Sequence, residues 1–294
     1  MANDGVGHLT NGFVFCVIGL WHLFNNIKLH ALNPKTYTSL IWFPTSKIKH
    51  LELYLIMVGS SISFTMELFN LPALDPDGTI PSTYLRHFEH SFIAFAFFVY
   101  AIFAILLDKL APPAHYGLTI LVGAVAFAVE LLLFHLHSTD HMGIEGHYHW
   151  LLTLVMFTTL GTTLLSINYS KSFLISFVRS LSLLFQGIWF INIGFVLWTP
   201  GLIPRGCFMS MEDGRFVARC HDKKALERAK ALANIQFSYY LVGLLGLAVT
   251  IYLIMVKLHL GNVEYQSLTK LYEKDDDDDD GVEAQKRLDP VGKI

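Results

Sequence analysis

The chain has 294 residues, is 53% hydrophobic and only 15% charged, and carries a formal net charge of −3; its mean hydropathy is +0.47 and its pI about 6.5. Charged residues in soluble domains run to roughly 25%, so an ordinary soluble domain is excluded, and the lack of basic excess excludes a nucleic-acid binder working through phosphate contacts. Three cysteines are too few for a disulfide framework, whereas 14 histidines against 21 Lys plus Arg make imidazole unusually prominent.

Crossing about 30 Å of hydrocarbon takes roughly 20 apolar residues in a helix. In chain order the candidate spans are Leu9 to Phe24, Ile48 to Phe69, Tyr84 to Leu107, Tyr116 to His137, His147 to Ile167, Arg179 to Leu197 and Ala233 to Lys257. The first is short and contains Asn11. Met1 to Gly7 lacks a basic n-region and no small-residue cleavage site follows, so this run is expected to be retained rather than cleaved as a signal peptide. The prolines all fall between or beyond the runs, where a missing amide donor costs least. The expected fold is therefore an all-α integral membrane protein, a seven-transmembrane-helix bundle over residues 1–258 with a long 6–7 loop over 198–232. Residues 259–294 include the aspartate run Asp275 to Asp280 and little that could form a core; they are expected to be a disordered acidic tail.

Orientation follows from lysine and arginine. The 1–2, 3–4 and 5–6 connections and the C-terminus share one side and carry Lys28, Lys35, Lys47, Lys49, Lys109, Lys171, Arg179, Lys257 and the basic residues of the tail. The other side holds Arg86 and the basic residues of the 6–7 loop. With that long loop set aside, the positive-inside rule puts the C-terminus in the cytoplasm and the N-terminus outside or in a lumen, as in a multi-pass protein of the secretory pathway or plasma membrane. Cys207 and Cys220 then lie where a disulfide could form, with two free thiols as the alternative. The sequon Asn168-Tyr169-Ser170 lies in the cytoplasm, out of reach of glycosylation.

Glu67, His90 and Glu130 stand out as ionisable groups away from span ends, whereas Glu52, Arg86, Glu89, Asp108 and Lys109 are read as solvated at a membrane edge. His8, His87, His90, His135, His137, His141, His147, His149 and His221 sort to the outer half, and His22, His30, His50, His115 and His259 to the cytoplasmic half. His90 and Glu130 lie at similar depth, and His87 shares a helix face with His90. In an intact helix residues two apart point about 200° apart, so only one histidine of each His-x-His pair in the 4–5 region faces the bundle.

Imidazole and carboxylate converging in a dry bundle are costly unless paired or metallated. The chain lacks the Glu-x-x-His motif of four-helix di-metal sites, so an imidazole-dominated centre, zinc rather than di-iron, is the expected ion. The candidate ligands are His90, Glu130, His137, His147 and His149. Glu67 and Glu130 are the candidate proton-shuttling carboxylates of a metal-dependent hydrolase acting on a lipid-like substrate. The alternatives are a metal-free polar network, haem ligation, a metal-ion or proton transporter or channel using the same residues as a relay, and a non-enzymatic scaffold or trafficking protein. In the sixth run, Gln186 and Asn192 are placed to hydrogen-bond between helices, and Gly187 and Gly194 allow close approach.

These residues resemble the transmembrane protein 45 family. The resemblance rests on Glu130, His137 and His147-Tyr148-His149, on His90-Ser91 and Glu67, and on Gln186-Gly187, Trp189-Phe190 and Ile193-Gly194-Phe195-Val196-Leu197. It covers roughly residues 5 to 258. The family pattern places a further His where Thr139 stands here, and His135 is an addition, so the resemblance implies least about residues 135–139. It implies a seven-helix membrane protein and names no substrate. Seven-helix zinc hydrolases such as the ceramidase and adiponectin-receptor groups are similar in helix number and His use, an analogy of fold alone.

Overall fold

The computed structural model describes the backbone of residues 4–69, 75–81, 84–139, 143–212 and 215–286, and side chains within these except at 4, 137–139, 215 and 259–286. The helices are α1 (Asp4–Leu32), α2 (Leu51–Phe69), α3 (Leu85–Leu110), α4 (His115–Thr139), α5 (Ile144–Asn168), α6 (Phe173–Trp198) and α7 (Lys223–Lys286). Between α6 and α7 lies a hairpin of β1 (Cys207–Glu212) and β2 (Arg215–Cys220). Among the described residues, seven helices are long and apolar enough to cross a membrane, the architecture of an integral, multi-pass membrane protein.

Helix α1 is much longer than its hydrophobic run. Its asparagines are accommodated because Asn25 donates to the Trp21 carbonyl (2.8 Å) and Asn26 to the His22 carbonyl (3.0 Å), so polar side chains in the span do not leave donors bare. The helix ends at Leu32, ahead of Pro34, whose ring disfavours helical geometry at the preceding residue. Helix α3 stops the same way: Ala111 takes a left-handed conformation (φ 45°) before Pro112 and Pro113, and its amide closes on the Leu107 carbonyl. Helix α6 begins at Phe173, capped by the Ser172 hydroxyl, which accepts from the Ile175 amide (3.4 Å). Arg179, expected at the edge of the sixth span, is therefore inside the helix and buried.

Consecutive helices α2 to α6 pack each on the next, α1 packs against α6, and α7 leans on α1, α5 and α6. Helix α6 is the central element. The α1/α6 contact is built on glycine at seven-residue spacing, Gly5, Gly12 and Gly19 on one helix and Gly187 and Gly194 on the other. A Cβ on Gly12 would meet the Gly187 carbonyl at 2.8 Å, one on Gly194 the Gly5 carbonyl at 3.1 Å, and one on Gly187 the Cys16 backbone. Without side chains there, the two backbones touch, which is how helices gain dispersion contacts in a solvent as apolar as themselves. Three apolar clusters fill the bundle. Phe134, Ile144, Leu152, Trp189, Phe190 and Ile193 lie toward the hairpin; Leu23, Ile27, Phe177, Phe185 and Leu244 lie toward the far end; Leu53, Tyr100, Ala101 and Ala104 join α2 and α3.

The hairpin pairs Cys207 with Cys220 in register and Met211 with Phe216 near its tip. A disulfide joins Cys207 and Cys220. Helix α7 continues as backbone helix to Lys286, past the expected end of its span, through the aspartate run.

Candidate functional site

The sequence-predicted residues fall into two groups, both of which border Phe134. On the α2/α3 side, Glu67 near the end of α2 accepts from His87 Nδ1 at 2.6 Å, and His90 Nδ1 lies 3.5 Å from its other oxygen. One helical turn separates His87 from His90, so a single carboxylate from α2 serves both imidazoles. His90 then stacks toward the Phe134 ring at 6.4 Å.

His149 lies 6.1 Å from the same ring. It is 2% exposed, and its Nε2 is 3.0 Å from His8 Nε2. His149 Nδ1 lies 3.0 Å from the Glu145 carbonyl, which can only accept, so Nδ1 carries a hydrogen. A neutral His149 therefore has an unprotonated Nε2 that accepts from His8, and an added proton converts the same contact to a donation in the other direction. His8 is fixed by stacking on Trp198 (4.8 Å) at the end of α6. His8 is absent from the residues the sequence singles out: it stands alone near the N-terminus without a motif, and the α1/α6 packing carries it to His149.

Glu130 is one turn before Phe134 on α4 and 1% exposed. Its Oε1 accepts from Gln186 Nε2 at 2.7 Å, and its Oε2 is buried without a hydrogen-bond partner. The expected interhelical bonds of α6 are present, since Asn192 also accepts from Gln236 of α7 (2.7 Å). His147 points elsewhere, with its Nε2 2.7 Å from Asn234 Oδ1 on α7; adjacent Tyr148 donates to Gln236 (3.1 Å). Thus His147 and His149 diverge, as helical geometry demands of residues two apart. The His137 side chain lies outside the described residues. A groove of about 510 Å³ between α4 and α5 is lined by Leu132, Trp150, Leu154 and Phe157 with His135 at its edge; it is apolar and holds none of the predicted ligands.

The candidate ligands with described side chains do not surround one point. His90 is bonded toward Glu67, His149 meets His8, His147 faces α7, and Glu130 is engaged by Gln186. Among the described residues, no group of three or more His, Cys, Asp or Glu is arranged to hold a metal ion; the side chain of His137, one of the expected ligands, lies outside them. The donor set fits proton exchange, with two imidazoles in direct contact and a carboxyl oxygen left open.

A second polar cluster occupies the far end of the bundle. Glu52, expected to be solvated, is 7% exposed. It accepts from His22 Nε2 (2.7 Å), Trp21 Nε1 (3.1 Å) and the Phe43 amide (2.9 Å). His22 Nδ1 is buried without a partner. Arg179 donates to Ser166 Oγ (3.0 Å) and the Leu40 carbonyl (3.1 Å). Tyr37 donates to Asn26 (2.7 Å), and burial holds its hydroxyl above the ordinary tyrosine range, so it remains a donor. The expectation of a solvated position for Glu52 fails because the 1–2 connection folds back over it, with the Phe43 amide donating to its carboxyl.

Residues 116–253 match the model of a protein family described as a family of unknown function (DUF716). The matched stretch runs from α4 into α7 and includes Glu130, His147, His149, Gln186, Cys207 and Cys220. It leaves out α1 to α3, which supply His8, Glu52, Glu67 and His90.

Proposed function

We propose that the chain is a membrane protein of the transmembrane protein 45 kind that carries protons, alone or coupled to a solute, through a relay built on His8, His149 and Glu130. The observation that carries this reading is the 3.0 Å contact between His8 and His149 Nε2. Two imidazoles sharing one hydrogen pass a proton by exchanging donor and acceptor roles, with no movement of the backbone. Onward transfer requires the His149 ring to turn, because Nε2 faces His8 and Nδ1 the Glu145 carbonyl; Glu130, with its open oxygen, is assigned as the acceptor it then serves, and His22 with Glu52 as the far station. Both histidine stations sit on α1, about 21 Å apart at a rise of ~1.5 Å per residue. Intramembrane ionisable residues that face a bundle interior commonly mark proton relays in pumps and transporters.

The hairpin end is taken as outside or lumenal. The Cys207–Cys220 disulfide supports an oxidising compartment there, and the lysines of the far-end connections support the cytoplasm opposite. The N-terminus then shares the hairpin side, since His8 stacks on Trp198. Purified protein in liposomes containing a pH-sensitive dye tests the proposal. Under an imposed potential, proton entry above that of empty liposomes is expected, with loss in His149→Ala. Entry equal to empty liposomes overturns it, and stoichiometric zinc in the parent that disappears in His149→Ala favours the metal-dependent hydrolase instead.

A further inference from the structure

The 1–2 connection, residues 33–50, has no helix or strand, yet Tyr37, Ser39 and Phe43 within it are buried. It crosses the far end of the bundle and is pinned to several separate parts of it. Tyr37 donates to Asn26 of α1 (2.7 Å). The Ser39 amide donates to the Ser170 carbonyl in the 5–6 connection (2.8 Å), and Tyr116 of α4 donates to the Ser39 carbonyl (3.3 Å). The Leu40 carbonyl accepts from Arg179 of α6 (3.1 Å), and three residues on the Phe43 amide donates to Glu52 of α2 (2.9 Å). At its end Lys49 and His50 close on Asp108 of α3, at 2.6 and 2.7 Å.

The two charges grip opposite polarities of one short backbone stretch. A buried guanidinium holds a carbonyl and a buried carboxyl holds an amide, each stronger than a bond between neutral groups. Among the described residues, no carboxylate lies within ion-pair distance of Arg179, so its position is not explained by a direct salt bridge. Irregular backbone is tolerated at membrane depth where it is buried in protein or lines a cavity; here it separates the His22–Glu52 pair from the far aqueous phase.

We infer that residues 37–43 are a gate at the cytoplasmic end, latched shut by Arg179 through the Leu40 carbonyl and by Glu52 through the Phe43 amide. The part that concerns what passes rests on the proton reading; the gate itself does not. When the stretch lifts, water reaches His22 and Glu52, and the far station exchanges with the cytoplasm.

The test uses full-length protein in inside-out vesicles with Cys16→Ser as background, labelled by a membrane-impermeant maleimide from the cytoplasmic face. Ser39→Cys reports the gate, Lys35→Cys the exposed reference and Thr163→Cys a buried control on α5. Ser39→Cys is expected to label far more slowly than Lys35→Cys. Adding Arg179→Gln or Glu52→Gln should raise its rate about tenfold, the scale of losing one hydrogen bond to a charged group, while Thr163→Cys stays unlabelled. Ser39→Cys labelling as fast as Lys35→Cys in the parent overturns the gate. So does an unchanged rate in both latch variants, or a rise matched by Thr163→Cys, which reports loosening of the whole bundle. Because no flux is read, this failure is distinct from a failure of proton transport.

Discussion

At the residue scale, stability and proton transfer both turn on which buried polar atoms have partners. Gln186 is the hydrogen-bond donor to Glu130 (2.7 Å), and leaving a buried polar group unsatisfied costs about 1–3 kcal/mol. Gln186→Leu is therefore expected to lower thermal stability in detergent by that order. Glu130→Gln keeps an acceptor for Gln186 and should stay within about 1 kcal/mol of the parent, while removing the exchangeable proton. That pair separates structure from function at one contact. The sequence marked Glu130, His149 and Gln186 because polar groups in apolar runs are conspicuous. It did not mark Glu52, His22 or Arg179 as buried, because hydropathy places them near run ends, and only the fold of residues 33–50 shows that no solvent reaches them.

At the element scale the α1/α6 pair carries the site, since it brings His8 to His149. A leucine at Gly12 or Gly187 would collide with the partner backbone; overpacking of this kind costs typically about 1–3 kcal/mol, occasionally more. Gly12→Leu and Gly187→Leu should both lower the melting temperature, and Gly243→Leu, at a position on α7 with open space around it, should leave it nearly unchanged. Equal effects at all three would mean that α1 and α6 do not touch through their glycines. The elements were unevenly legible. Runs three and four are close to α3 and α4, because long uninterrupted apolar sequence, set apart by Pro112 and Pro113, leaves little freedom. Helix α1 extends past its apolar run at both ends; beyond the C-terminal end of the run, Asn25 and Asn26 donate to carbonyls one turn back in the helix. The hairpin went unread, since β1 and β2 are short, mixed in polarity and enclosed in a long loop. Its disulfide predicts that non-reducing digestion yields a peptide linking Cys207 to Cys220, and that prior reduction abolishes it.

At the scale of the whole molecule, the low charge and the high histidine content have separate causes that meet in one architecture. Seven apolar helices explain the first. The second divides into a hairpin-end set, with Glu67 and Glu130, and a far-end set in which His22 and His50 are bonded to Glu52 and Asp108. The far-end histidines are thus part of the polar framework and not incidental. What the sequence could not convey is that Glu67 takes His87 while His149 meets His8, because spacing along a chain is silent about which residues of other helices each one meets. The proposed orientation predicts that Asn168 carries no glycan and that a C-terminal epitope is reached only after permeabilisation. Residues 259–294 are proposed to lie outside the bundle, so their deletion should leave the melting temperature unchanged. The most direct test of the proton relay is dye-reported proton entry into liposomes by the parent and by Glu130→Gln, matched for amount and stability. The relay predicts entry in the parent that falls to the level of empty liposomes in Glu130→Gln; undiminished entry in a folded Glu130→Gln would contradict it.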